Sequence, residues 1–149
     1  MAKNTANSTF RKIDVDQYNE DLYREEEGGE AAAGPDEAQL QQMLAAGRTG
    51  DALQYVLQLA PAGSRSQPAK DAALQAVMRV LTAFRTAEME PAVRALSQEQ
   101  ADLLMKYVYR GFEVPSEGSS GHLLAWHEKL YGVGGVGCIV RVLTDRKRV

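Results

Sequence analysis

Two histidines, one cysteine and one glycine run are the places where chemistry could begin in this chain. His127-Glu128-Lys129-Leu130-Tyr131 starts like the helix of a zinc protease, which needs a second histidine four residues on so that both imidazoles reach one metal. Tyr131 stands in that place, and His122, five residues upstream of His127, falls on another helical face. His127 reads instead as a core-edge histidine bonded to a neighbour. Gly132-Val133-Gly134-Gly135-Val136-Gly137 matches the dinucleotide fingerprint G-x-G-x-x-G letter for letter. That fingerprint follows a strand and is answered by an acid about 20 residues later, whereas here a helix is expected before it and 12 residues follow it. It reads as a flexible turn that lets two helices approach closely.

The remaining candidates fail in similar ways. Asp14, Asp16 and Glu25 occupy positions 1, 3 and 12 of a calcium-loop frame, but Tyr18 at position 5 brings no carboxylate and Asn19 replaces the turn glycine. Cys138 sits in an apolar run, where a thiol is buried and unreactive. Ser119 and Ser120 have His122 nearby but no acid to orient it. No catalytic set, metal site or cofactor is therefore expected.

The elements that would carry these residues are helices punctuated by Gly, Pro and Ser. Asp36 to Ala46 puts Leu40, Met43 and Leu44 on one stripe and stops at Gly47. Asp51 to Ala60 repeats the pattern with Leu53, Val56 and Leu57 before Pro61, which suggests a helical hairpin. Ser66-Gln67-Pro68 opens the longest helix, with Ala73, Leu74, Val77, Leu81 and Phe84 at the helical period to about Thr86, as a central rod. A short helix with Met89, Val93 and Leu96 follows, in which Pro91 is expected only in the first turn. Ser97-Gln98-Glu99-Gln100 is a capping box, starting a helix whose Leu103, Leu104, Tyr107 and Val108 face inward until Gly111. Ser119 or Ser120 caps the next, with Leu123, Leu124, His127, Leu130 and Tyr131 as its stripe. Residues 138–143 have strand propensity, yet Val136, Ile139, Val140 and Leu143 fit i, i+3, i+4, i+7, and a lone strand would have no partner, so the segment is read as helix. The expectation is an all-α fold of about seven short helices in an α-α superhelical or bundle arrangement.

At 149 residues and 44% apolar content the chain can bury a core, and no run reaches the roughly 18 to 20 apolar residues of a membrane helix. Its amino end has no apolar stretch of a secretory signal, and the lone Cys138 fits a reducing compartment, so cytosolic residence is expected. The net charge of -3 is uneven: residues 1–34 hold eight acids against four bases, and the rest hold 13 bases and 12 acids. That imbalance argues against nucleic-acid binding, which needs a clustered basic face. Residues 1–34 are read as an acidic, partly disordered arm and 35–149 as the helical domain. Within the arm, 24–35 is an acidic spacer, while Phe10, Arg11, Ile13, Val15, Tyr18, Leu22 and Tyr23 belong to an apolar-bearing stretch suited to ordering against a partner. In the domain, Tyr107 is assigned to the core, and Tyr109, Trp126 and Arg141 are left as anchors for a partner. Arg146 and Lys147, with Arg148, either grip an acidic partner surface or complement the last helix dipole, two roles that are compatible.

DLLMKYVYRGFE from Asp102, LLAWHEKL from Leu123, and GGVG, IVRVLT and RK towards the end together resemble the small fifth subunit of the actin-related protein 2/3 complex. Phe10 to Asp16, Gly34-Pro35-Asp36, Lys70-Asp71 and Val80-Leu81 extend the resemblance to nearly the full length. Departures are Tyr131-Gly132, Cys138 where a serine is usual, and Leu22-Tyr23-Arg24. The resemblance implies a non-catalytic structural subunit of the complex that nucleates branched actin filaments, whose helical domain docks on neighbouring subunits while the arm tethers an actin-related subunit. It implies as partners subunit 4, subunit 1 and the actin-related protein 2 subunit, with actin filaments contacted indirectly and neither nucleic acid nor membrane. It implies residence in the cytoplasm and the cytoskeleton of actin-rich projections, and a nuclear pool. The alternative is a free-standing helical adaptor that binds another protein through its acidic arm. Gel filtration separates the two, because a complex subunit elutes wholly at high mass.

Overall fold

A computed structural model describes residues 34–115, 118–146 and 148–149. The arm candidates Phe10, Arg11, Ile13, Val15, Tyr18, Leu22 and Tyr23, the calcium-frame acids and Lys147 lie outside the described residues. Asp36 is the first ordering signal. Its carboxylate accepts from the Ala38 N–H at 2.9 Å, satisfying a donor that the first turn leaves unpaired, and α1 runs Glu37–Ala45. It ends in a Schellman motif, with Gly47 N–H on Leu44 O and Arg48 N–H on Met43 O, both at 3.0 Å. Helix α2 (Thr49–Gln58) buries Ala52, Leu53, Val56 and Leu57, and its Tyr55 hydroxyl accepts from the Asp36 N–H at 3.1 Å. The hairpin expected from the sequence is therefore present.

Helix α3 (Gln67–Ala83) carries Pro68 in its first turn and buries Ala73, Leu74, Ala76, Val77, Val80 and Leu81. Phe84 leaves the helix in an extended conformation but stays buried. The next helix, α4 (Thr86–Arg94), corrects the expectation for Pro91, which lies in its second turn. Buried Met89 and Val93, four apart, hold this helix on the core, and the carbonyl that Pro91 leaves without a donor belongs to exposed Ala87, where solvent can serve it.

Helix α5 (Gln98–Glu113) starts on the expected capping box, in which Ser97 Oγ accepts from Gln100 N–H at 3.2 Å and Gln100 Oε1 from Ser97 N–H at 3.1 Å. It passes through Gly111 rather than ending there. A Cβ on Gly111 would stand 2.9 Å from Met78 Sδ and 3.0 Å from Leu123 Cδ1, so hydrogen in place of a side chain lets α5 approach α3 and the last helix. That last helix, α6 (Ser119–Thr144), is capped by Gly118 at φ 75° instead of by a serine; Ser119 is its buried first residue.

Among the described residues there are six helices and no strand, so the chain is all-α as expected. The expected sixth and seventh helices form one run interrupted at Gly135, whose φ of 62° and ψ of -164° are outside the helical region. Helix α3 is the rod: it packs against α1 and α2 as well as α5 and α6, while α4 rests on α6. The core is continuous from Leu40 through Val77 and Leu81 to Leu104, Tyr107, Trp126 and Leu130.

Candidate interaction surface

Gly135 redirects the chain, and the pairings with α5 show how. Before it, α6 runs antiparallel to α5, with Leu123 beside Gly111 and the Tyr109 hydroxyl 3.2 Å from His127 Nε2. After it, Arg141 meets Asp102 and Asp145 meets Lys106, so the numbers rise together and the segment from Val136 runs back along α5. The glycine run is thus the close turn between helices that its sequence suggested, and only one of its glycines needs a backbone that L side chains avoid.

Two ion pairs fix the register of this returning segment. Arg141 grips Asp102 with two bonds, Nε to Oδ2 at 2.6 Å and Nη2 to Oδ1 at 3.0 Å, and Lys106 pairs with Asp145. The bidentate geometry raises the Arg141 pKa, chiefly through hydrogen bonding to the Asp102 carboxylate. Because the signs alternate, a slip of one turn would set Asp102 against Asp145, and like charges reject that register. Cys138 lies buried inside the turn with its thiol 3.0 Å from Gly135 O. Burial first, and then the Asp102 charge, push its pKa up, which disfavours the thiolate a nucleophile needs.

The outer side of α6 is apolar and uncovered. Val136, Val140 and Leu143, at i, i+4 and i+7, are 60%, 49% and 73% exposed, while Cys138, Ile139 and Val142 turn inward. Leu124 and Tyr131, seven apart on the preceding segment, are exposed too. The sequence reading puts Leu124, Tyr131, Val136, Val140 and Leu143 on the apolar stripes of their helices. The structure turns them out because Leu123, Trp126 and Leu130 take the inward face. The usable signal was excess: α6 is apolar nearly all round, more than one core-facing stripe requires.

The other expected anchors fall in different environments. Trp126 is fully buried, with Nε1 donating to Leu81 O at 3.1 Å and its ring edge-on to Phe84 at 5.0 Å. Tyr109 is half-buried against His127, their rings 5.6 Å apart. Arg141 is committed to Asp102, and Arg146 is exposed. Tyr131, where a zinc helix needs its second histidine, points to solvent, and no cluster of His, Cys, Asp or Glu that could hold a metal occurs among the described residues. No described helix is long and apolar enough to cross a membrane.

Comparison with known proteins adds a specific likeness. The family described as ARP2/3 complex 16 kDa subunit (p16-Arc) matches residues 9–149. The chain is 51% identical over 150 residues to Actin-related protein 2/3 complex subunit 5-C of Xenopus laevis, covering 100% of both chains. It is 47% identical over 152 residues to the 5-B protein of the same species and 44% identical over 153 residues to the subunit 5-like protein of Homo sapiens, again covering 100% of each.

Proposed function

We propose a function from one premise: this chain belongs to the p16-Arc family, the 16 kDa subunit of the ARP2/3 complex. It is a non-catalytic structural subunit of that complex, which nucleates branched actin filaments. In our reading, the domain of residues 35–149 docks on neighbouring subunits, subunit 4 and subunit 1, and the arm of residues 1–34 tethers the actin-related protein 2 subunit through Phe10, Arg11, Ile13, Val15, Tyr18, Leu22 and Tyr23. The place of work is the cytoplasm and the actin cytoskeleton of cell projections, with a nuclear pool.

The observation that carries the docking is the exposed row Val136, Val140 and Leu143 on the returning segment. Fully burying a Val or Leu side chain is worth about 1.5–3 kcal/mol, and these three still have about half or more of that to gain, so the row contributes to an anchor for a subunit. Tyr109, Arg146 and Lys147 are proposed as further partner contacts, with Arg141 acting through the segment it holds; Trp126 supports the domain from inside.

The test is reconstitution of the complex. Val140→Asp with Leu143→Asp should leave the chain folded, because both side chains are largely exposed, yet reduce its incorporation at least about tenfold. Deleting residues 1–34 should preserve incorporation while weakening association of the actin-related protein 2 subunit and branching. Unchanged incorporation in the first case, or unchanged branching in the second, defeats the corresponding half of the reading.

A further inference from the structure

On the side of α5 away from the glycine turn, a half-open cleft of about 340 Å³ lies where the first turns of α3, the end of α5 and the returning segment meet. Its charged side chains are Lys70, Lys106, Arg110 and Arg148 against Glu113 and Asp145, four cations to two carboxylates, and Val149 also lines it. The carboxylates already have partners. Glu113 accepts from Arg110 Nη1 at 2.6 Å and Asp145 from Lys106. Lys70 and Arg148, drawn from elements 78 residues apart, face the same space with no carboxylate of their own among the described residues.

We propose that this cleft is a docking slot for an acidic peptide segment of a partner protein, with two Asp or Glu side chains of that segment pairing with Lys70 and Arg148. The lining favours separate carboxylates over phosphate. A dianion concentrated at one point would lie near both Glu113 and Asp145, whereas single charges spaced along a peptide complete a one-to-one pairing. The Arg148 guanidinium offers the planar fork that a carboxylate fits, and the half-open form admits a chain without burying its backbone. The inference is independent of the apolar docking row, which lies on the outer side of α6.

A fluorescein-labelled hexaglutamate peptide titrated into the full chain, followed by anisotropy, tests it. Saturable binding should weaken at least about tenfold in Lys70→Glu with Arg148→Glu, and less than about twofold in Arg94→Glu, a single charge reversal at an exposed α4 site outside the cleft. The milder Lys70→Gln with Arg148→Gln should also lose affinity, which keeps the test open if the reversal fails to fold by circular dichroism. Absence of binding, or equal loss in Arg94→Glu, overturns the proposal. So does displacement of the peptide by inorganic phosphate where acetate of matched ionic strength displaces nothing, since that would assign the cleft to phosphate.

Discussion

The Trp126 indole donates its Nε1 hydrogen to the Leu81 carbonyl at 3.1 Å, across 45 residues of sequence. The bond solves a local problem at the end of α3. That helix stops at Ala83, and the Arg85 N–H that would have answered Leu81 turns instead to the Glu88 carboxylate at 3.4 Å. A buried carbonyl is left over, and the largest side chain of the core caps it.

Trp126→Phe should therefore destabilise the chain by about 1–3 kcal/mol through the orphaned carbonyl, and Trp126→Ala by about 3–5 kcal/mol once the cavity is included. Urea unfolding of the two variants checks this. Wild-type stability in the phenylalanine variant would mean that the carbonyl is served by another donor.

Tyr107 presents the opposite case: it is fully buried and its hydroxyl has no hydrogen-bond partner among the described residues. Tyr107→Phe should be neutral or stabilising by up to about 1 kcal/mol. Burial also pushes the Tyr107 pKa from 10.0 up to about 12. The folded state thus keeps a proton that the unfolded state loses first, so the stability linked to this group is intact below pH 10 and falls as pH rises from 10 towards about 12. The fall should be no steeper than about 1.4 kcal/mol per pH unit. Denaturation of wild type and variant at pH 9, 10.5 and 11.5 should show their stability difference shifting towards the variant with pH, and a constant difference would refute the burial argument.

Gly135→Ala should cost about 1–3 kcal/mol although a Cβ there meets open space, because its φ of 62° with ψ of -164° is glycine's territory. Gly132→Ala, in a helical conformation with equally open surroundings, should instead stabilise by about 0.5–1 kcal/mol. Thermal unfolding compares them. Amide exchange should be faster over residues 136–144 in Gly135→Ala alone, since the turn that lays this segment along α5 is the part strained.

Signals that act over a few residues were legible in the sequence. Asp36, the Gly47 stop, Pro68 in a first turn and the Ser97–Gln100 box each concern groups within one helical turn, so their outcome depends little on distant parts of the chain. Family membership was written in the combination of motifs from Asp102 onward. Pro91 was misplaced because the gain from burying Met89 and Val93 is a tertiary quantity that propensity does not contain.

The sequence by itself determined that this protein is helical, where most of its helices begin, and that it belongs with structural subunits rather than enzymes. Only the tertiary structure decided which way α6 faces. A helix apolar on nearly every side has no intrinsic inside, and the choice fell to Leu81's carbonyl, Phe84 and the α5 charges Asp102 and Lys106. Once these fixed Trp126 inward and laid the returning segment along α5, Val136, Val140 and Leu143 were left outside as exposed apolar surface.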